Sequence, residues 1–357
     1  MAVINPGDLT FSGEEIRSFA EATIEQMVEY PALTDMHTVI PGIITDRQIP
    51  LLGHLSKITR KDLGCGLGKL DKTIPMSEKY WRPINFKIWL SECWQQFEDT
   101  FMVYYLNVGG EKSDLTTTQI FSQWLIEEVG DAAAKDALRI AWFADTAAAL
   151  STGAGVFSPD VNVLDYNMFD GFFKQLFAIT TANAARRTPI AKNQGASYTL
   201  QTFDDTDTTN KVATGIFLKL TMKAHRVLRA NANKVIWSTR SLTDQYILER
   251  MAVPNISESY VRTESGIDTL KINGVTIMVN DQWDDVIAED QDNGVKWNLP
   301  HRAVMSTKDN LPVGFDNAAS VTDFDVFYDK MSETSNIKAL YRMDAKVLED
   351  NLIQFAY

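Results

Sequence analysis

The chain has 357 residues, of which 45% are hydrophobic and 23% are charged, a composition typical of a folded protein with two or three domains. Acidic residues outnumber basic ones by 47 to 34, and the net charge of −13 argues against a protein that grips nucleic-acid phosphates. The sequence has no apolar run of about 18 residues and no basic segment followed by an apolar one at its start, so neither a transmembrane helix nor a secretory signal is predicted.

The first predicted element is a short amphipathic helix in an N-terminal arm. Ser12 and Glu15 have the spacing of a capping box, in which each side chain bonds a backbone amide of the other residue. Apolar residues then repeat at helical spacing, and Pro31 ends the pattern. A helix with one narrow apolar stripe is stable only when docked, so we expect it to lie on the protein's own core or on a neighbouring subunit.

Residues 37–97 predict a long two-stranded β-hairpin that extends from the rest of the chain and has a glycine-rich tip at residues 63–69. The return strand is predicted at residues 84–91, where apolar and polar residues alternate strictly. An isolated two-stranded hairpin is marginal in water, so a long one is expected to lie on another surface.

Residues 115–149 predict one long helix, which Thr116 and Gln119 open as a second capping box. About 30 helical residues would span roughly 45 Å, well above the average length of a globular helix. Gly130 lies inside this helix, and it either marks a kink or is tolerated because of packing.

The rest of the chain predicts an α/β segment followed by strands. A helical aromatic stripe in residues 165–180 is interpreted as core, and the polar residues 182–210 as a loop or short strands. One helix is predicted over residues 212–230, a strand over 234–238, and a helix capped by Ser241 and Asp244 that ends at Met251. Asn273-Gly274 predicts a hairpin, residues 281–294 an acidic loop, and residues 301–357 further strands.

No motif predicts chemistry. The segment from Gly64 to Lys69 does not fit a phosphate-binding loop, because Leu63 stands where the first glycine is needed and Leu70 where a Ser or Thr is needed. The four histidines show no metal-ligand spacing, and Cys65 and Cys93 are interpreted as free thiols. We therefore predict no catalytic residue, no metal site and no cofactor, and we do not expect an enzyme.

The order of these elements resembles the major capsid proteins of tailed bacteriophages, with the Hong Kong 97-type fold that encapsulin shells share. The pieces that carry the resemblance are the arm helix, the hairpin around Gly64, Gly66 and Gly68, the long helix from Thr116, the strand at residues 233–238 with its following helix, the hairpin at residues 272–281, and residues 302–314 leading into residues 339–345.

The resemblance implies an α+β phage capsid fold in five parts. These are an N-terminal arm (1–37), an extended β-hairpin loop (38–97), a peripheral domain with the long spine helix (98–181), an axial domain (182–302), and C-terminal strands that return to both domains (303–357). The loop would lie on the neighbouring subunit, so its tip residues Gly64, Gly66, Gly68 and Lys69 are expected subunit contacts. No motif at Lys69 or Lys72 carries over a cross-link.

The resemblance also implies partners and a location. Copies of the chain would form the hexamers and pentamers of an icosahedral shell around double-stranded DNA, without sequence-specific DNA contacts and without a membrane. Scaffolding is expected from a separate protein, because the chain begins almost at the arm, and portal and decoration proteins are further expected partners. The product would be a virion capsid that assembles in the host cytoplasm.

Two alternatives stay open at this point. The first is an encapsulin-like compartment, which has the same fold but encloses cargo enzymes. The second is a cytosolic α+β enzyme with an acidic cleft formed by residues 281–292.

Overall fold

The computed structural model describes residues 33–53, 58–59, 73–74, 76–93, 119–153, 155–252, 260–262, 268–316, 325–329, 331 and 334–357. The helices are α1 (Leu33–Met36), α2 (Gln119–Phe143), α3 (Phe172–Ala182), α4 (Tyr198–Gln201), α5 (Asp205–Asn210), α6 (Val212–Lys223), α7 (Arg226–Ala230), α8 (Arg240–Met251) and α9 (Asp281–Glu289). The predicted arm helix, the glycine-rich tip and the capping box at Thr116 lie outside the described residues.

Within the described residues, the strands form three sheets. They are β1 (Val39–Ile40), β2 (Arg47–Leu52), β3 (Met76–Trp81), β4 (Ile84–Cys93), β5 (Arg187–Thr188), β6 (Lys234–Ser238), β7 (Tyr260–Arg262), β8 (Asp268–Ile272), β9 (Val275–Val279), β10 (Ala303–Thr307), β11 (Val313–Phe315), β12 (Asp325–Asp329), β13 (Thr334–Ala345) and β14 (Gln354–Ala356). Helices and strands thus occur together, which confirms the predicted α+β class.

The seven-stranded sheet has the order β5-β14-β10-β6-β9-β8-β7. Its interior strand β10 is buried along its whole length and pairs antiparallel with both β6 and β14. Successive side chains of a strand point to opposite faces. Accordingly Val304 belongs to the core on one face, while Ala303 and Met305 belong to the core on the other. The sheet therefore separates two hydrophobic cores.

The five-stranded sheet is organised by the long strand β13. One edge of β13 pairs antiparallel with β4, and the other edge pairs with β12 and then with β11, which lies beside β1. The sequence placed β4 as the return strand of the hairpin, and this is wrong. The return strand is β3, which pairs with β2, whereas β4 belongs to this larger sheet because its apolar face needs a core to cover it.

The long helix α2 packs a stripe of small and aromatic residues against the first core. Ala133, Ala137 and Ala141 are all at most 3% exposed, and their spacing of four places them on one face, with the fully buried Trp142 beside Ala141. The helix is unbroken at Gly130. Packing of this stripe is what makes a glycine tolerable in the helix interior.

Helix α2 ends at Phe143, six residues before the predicted end. The carbonyl oxygen of Ala144 accepts from the amide of Gly171 (2.8 Å), and the amide of Asp145 donates to the carbonyl oxygen of Tyr166 (3.0 Å). Thr146 donates through its hydroxyl to Asp170 (2.7 Å). These tertiary bonds replace the next helical ones, although the alanine-rich sequence favours continuation of the helix.

The region predicted as one helix over residues 212–230 is two helices. Ala224 breaks the pattern with an extended ψ of 144°, and the imidazole of His225 then accepts from the amide of Val227 (3.5 Å) at the start of α7. Ala224 is buried, so the break lets both helices keep their apolar faces on the second core.

The polar segment 182–210, predicted as a loop or short strands, and the acidic segment 281–294, predicted as a loop, both contain helices. Asp204 is the N-cap of α5 in a reciprocal capping box with Asp207. Helix α9 begins at Asp281 and buries Trp283, Val286 and Ile287. Acidic residues are stabilising near the N-terminus of a helix, so these charges support the helices that begin there.

The predicted hairpin at Asn273-Gly274 is confirmed. Both residues have positive φ values, 48° and 74°, as a two-residue turn of this kind requires, and the turn joins β8 to β9.

Among the described residues, none of the helices combines the length and the apolar character needed to cross a bilayer.

Candidate functional site

The hairpin β2–β3 is a separate two-stranded sheet, and it offers the clearest candidate surface for contact with another molecule. Its register runs from Arg47 opposite Trp81 at the base to Leu52 opposite Met76 at the far end. The described part of the chain provides no third strand for this sheet. A two-stranded ribbon of this kind is not stable on its own.

The far end of the hairpin exposes large apolar side chains. Leu52 and Met76 face each other across the two strands and are 67% and 68% exposed. Ile58 and Ile74, which lie between β2 and β3 in the sequence, are 57% and 49% exposed. We call these four residues the hairpin patch. Clustered apolar exposure of this kind marks a surface that another molecule covers.

The base of the hairpin, in contrast, is fixed to the body of the subunit. The amine of Lys79 donates to the carbonyl oxygen of Val347 (2.8 Å) and pairs with Asp350 (2.8 Å). The amide of Arg82, just after β3, donates to the buried carboxylate of Asp344 (2.7 Å). The hairpin is therefore held at one end and uncovered at the other.

Asp344 is fully buried beneath this attachment. Its carboxylate also accepts from the amide of Ala345 (2.9 Å) and lies 3.3 Å from the amine of Lys346. Burial raises the pKa of Asp344, and the Lys346 charge opposes that shift. The carboxylate thus acts as a buried acceptor that joins the end of β3 to β13.

Gly314 lies where the hairpin base meets β11, and its lack of a side chain is required there. A Cβ at this position would lie 3.0 Å from both Ile43 Cγ1 and Trp81 Cζ3. Ile43 and Trp81 are 1% and 3% exposed, so neither has room to move away.

Gly314→Ala is expected to lower the free energy of unfolding by about 1–3 kcal/mol, because the added methyl group overpacks this junction. Denaturant titration of the subunit measures the change. Gly215→Ala is the matched control, since nothing lies within 4 Å of a Cβ there and α6 gains a better helix former. Equal losses in the two variants would contradict the assigned role of Gly314.

A second uncovered surface is the outward face of β4 and β13, which we call the outer sheet face. Trp89 lies opposite Lys338, and Leu340 lies opposite Lys87. Trp89 and Leu340 are 58% and 59% exposed, and the amine of Lys87 sits 3.6 Å from the centre of a Trp89 ring. This surface is apolar with a basic border.

The acidic segment 281–292 uses its carboxylates in structural contacts. Arg240 makes two bonds to Asp281 (2.6 and 2.8 Å), and Asp290 and Asp292 accept from the hydroxyl groups of Tyr166 and Tyr198. In the described residues, no group of three His, Cys, Asp or Glu side chains is arranged to hold a metal ion. The carboxylates of Asp281, Asp290 and Asp292 are thus engaged in contacts within the fold.

Asp284 caps helix α8, a role the sequence assigned to Ser241 and Asp244. Its carboxylate accepts from the amides of Arg240 (2.6 Å) and Ser241 (3.2 Å), while the side chain of Thr239 at the N-cap makes no capping bond. Burial raises the pKa of Asp284 to about 6. A local capping motif could not reveal this contact, because the capping residue lies about 40 positions away.

Comparisons with known proteins give matches in structure only. No protein-family model and no curated protein matches the chain. The capsid of the cyanophage P-SCSP1u matches with a TM-score of 0.52 at 12% identity, over 98% of this chain and 93% of that one. The capsid of a native GTA particle matches with a TM-score of 0.52 at 11% identity, over 98% and 95%. A chain of Mycobacterium phage Ogopogo matches with a TM-score of 0.54 at 11% identity, over 93% and 94%. The chain has the phage capsid fold.

The predicted fold class is thereby confirmed. Each of these alignments takes in at least 93% of the chain, so the likeness in fold extends over nearly its whole length. At such low identities the likeness is one of fold, and individual residues carry no correspondence.

The residues that the sequence predicted as subunit contacts are not the residues that form the hairpin patch in the structure. Gly64, Gly66, Gly68 and Lys69 lie outside the described residues. Sequence reasoning missed the hairpin patch, although the apolar run at the end of β2 was a signal. It was missed because the partner strand β3 is mostly polar, and 23 residues separate it from β2.

Proposed function

We propose that the chain is a major capsid protein, whose copies assemble into hexamers and pentamers of an icosahedral shell that encloses double-stranded DNA. The observation that carries the proposal is the hairpin patch, on a ribbon fixed to the body only at its base, within a phage capsid fold. Head-to-tail contacts that close into rings need one surface that reaches out to the next copy. The hairpin has the form of such a surface.

The domain roles extend this proposal. Residues 38–97 act as the extended loop that lies on the neighbouring subunit, with Gly64, Gly66, Gly68 and Lys69 in contact at its tip. Residues 1–37 form the arm that reaches across to other subunits. Residues 98–181 form the peripheral domain, residues 182–302 the axial domain, and residues 303–357 strands that return to both.

The partners and location follow from the same proposal. The net charge of −13 fits a shell that packages DNA without gripping its phosphates. Scaffolding, portal and decoration proteins are further partners, no membrane is involved, and the shell forms in the host cytoplasm and becomes the virion capsid. An enzymatic activity is not part of the proposal.

Replacing Leu52 and Met76 together by Ser is expected to abolish assembly while the subunit stays folded, because both side chains are exposed in the single chain. Negative-stain microscopy and light scattering measure assembly, and circular dichroism measures folding. Leu164→Ser with Met222→Ser is the matched control, since these side chains are 73% and 62% exposed away from the hairpin.

Icosahedral shells or rings from the wild-type chain and from the control, but not from the hairpin variant, support the proposal. A wild-type chain that remains a monodisperse monomer refutes it. Shells that enclose a cargo protein and no DNA would instead favour the encapsulin-like alternative.

Deletion of residues 64–69 tests the tip separately. We expect the deleted chain to fold with wild-type circular dichroism but to form few or no shells, because the tip contributes to the neighbour and not to its own core. If the deletion unfolds the subunit, the tip belongs to the core and the proposed contact is wrong.

A further inference from the structure

Arg302 is a buried charged residue directly before the interior strand β10. Arg302 is only 1% exposed. Its guanidinium lies over the ring of Phe173, 4.5 Å from the ring centre. Nε donates to the carbonyl oxygen of Leu299 (2.9 Å). Nη2 donates to Gln291 Oε1 (2.7 Å) and to the carbonyl oxygen of Asn298 (2.8 Å). All three acceptors are neutral.

Two N–H donors of the guanidinium are therefore not used in these bonds. An arginine carries five N–H groups, and the three bonds above leave the two on Nη1. Within the described part of the chain, Nη1 has no hydrogen-bond acceptor and no carboxylate pairs with Arg302. A buried charge without an ionic partner is costly, and burial lowers the pKa of Arg302 to about 9.

Arg302 is also part of the wall of a cavity of about 310 Å³. Four phenylalanines, Phe143, Phe157, Phe173 and Phe177, contribute to the wall together with Ala144, Val156 and Ala178. The one carboxylate in the wall, Asp145, is engaged with Lys174 at 2.9 Å. The cavity therefore has a largely apolar wall that also holds the Lys174–Asp145 pair. The charge of Arg302 has no carboxylate at salt-bridge distance among the described residues, and Asp284 acts on it only at longer range.

We propose that this cavity binds a carboxylate carried on an aromatic or other apolar group, with Arg302 as its counter-ion. A carboxylate oxygen would accept from Nη1, which forms the charge-assisted bond that the protein itself does not supply. The apolar part would lie among the phenylalanine rings, and the volume is at the lower end of the range for small-molecule sites. The ligand is either a free small carboxylate or the C-terminal residue of a partner polypeptide.

The first test uses phenylacetate and its neutral isostere phenylacetamide with the full-length wild-type protein. Ligand-observed NMR titration is expected to show phenylacetate binding at least about tenfold more tightly, because only the anion pairs with the buried charge. Equal affinities, or no binding of phenylacetate, would overturn the proposal. This comparison needs no variant and holds even if Arg302 proves necessary for folding.

The second test uses Arg302→Met, which keeps the length of the side chain but removes the charge. Phenylacetate binding is expected to weaken by about tenfold or more. Arg187→Met is the matched control, because Arg187 also stacks on a ring, that of Tyr357 at 4.4 Å, but does not line this cavity. A folded Arg302→Met protein with unchanged binding, or an equal loss in the control, would refute the site.

The source of the carboxylate is decided by a short peptide that ends in phenylalanine, compared with the same peptide carrying a C-terminal amide. Binding of the free-acid peptide at least as tightly as phenylacetate, with loss in the amide form, assigns the site to a polypeptide C-terminus. Binding of phenylacetate alone assigns it to a small free acid. Both results support the proposed chemistry.

Discussion

Replacing Trp142 by Ala is expected to lower the free energy of unfolding of the subunit by about 3–5 kcal/mol, the largest effect expected of any single substitution proposed for this chain. Trp142 is 0% exposed and lies on the buried face of α2. Its ring centre is 4.4 Å from that of Trp283 and 5.0 Å from those of Phe172 and Phe173. Truncation would leave a cavity that several rigid rings cannot collapse to fill.

The indole of Trp142 adds a polar contact to this packing. Its Nε1 donates to Nε2 of His37 (2.9 Å), and His37 Nδ1 in turn donates to the carbonyl oxygen of Leu311 (2.9 Å). Loss of the indole leaves a buried imidazole nitrogen without its donor, which contributes further to the destabilisation. The chain segment that leads into β1 is thus fixed to the core through one histidine.

Thermal unfolding of unassembled subunits, followed by circular dichroism, measures the effect, and a fall in Tm on the order of 10 °C is expected. Trp89→Ala is the matched control, because that side chain is 58% exposed on the outer sheet face and its removal should change stability by less than about 0.5 kcal/mol. Similar losses in both variants would contradict the placement of Trp142 at the centre of the core.

Acidification below pH 6.5 is expected to destabilise the subunit through two buried histidines. Burial lowers the pKa of His37 to about 3 and that of His301 to about 4. Both are neutral in the folded protein, while the unfolded chain takes up a proton on each near pH 6.5. The unfolded state therefore binds more protons between about pH 6.5 and those values, so stability falls as the pH falls.

The size of the effect is isolated by His37→Gln, whose side chain does not titrate. Each histidine contributes about 1.4 kcal/mol per pH unit across its window. Asp284 acts in the opposite sense, because its raised pKa of about 6 makes the folded state hold the extra proton. The pH dependence of wild-type stability is thus the sum of contributions from several titrating groups. The difference in stability between wild type and His37→Gln, in contrast, reports the contribution of His37 alone.

Denaturant titrations at several pH values between 4 and 7 measure this difference. The destabilisation of His37→Gln relative to wild type is expected to shrink by about 1.4 kcal/mol for each unit of pH below 6.5. His225→Gln controls for the loss of an imidazole as such, since His225 caps a short helix at the surface. A difference that does not depend on pH would show that His37 is not held neutral in the core.

Predictions that depended on local pattern succeeded. The turn at Asn273-Gly274 was predictable because positive φ values favour these two residues, and the strand β13 because its apolar residues alternate. The aromatic stripe around Phe172 was correctly interpreted as core. The order of such pieces was enough to indicate the phage capsid fold, although each piece by itself is weakly specific.

Predictions that depended on distant partners failed or were not possible. The alanine-rich sequence after α2 predicts that the helix continues. In the structure, however, the backbone groups of Ala144 and Asp145 form hydrogen bonds with Gly171 and Tyr166. The carboxylate that caps α8 comes from Asp284, and the neighbour that requires Gly314 is Trp81. No local motif contains this information.

The candidate surfaces show the same division. The sequence alone determined that residues 37–97 include a ribbon too long to be stable unsupported, because periodicity and glycine content are local properties. Only the tertiary structure decided that β3 and not β4 returns beside β2, since pairing is a competition among strands for one covered face. It likewise decided that Arg302 lacks an ionic partner, because a charge is compensated or isolated only by residues that folding brings to it.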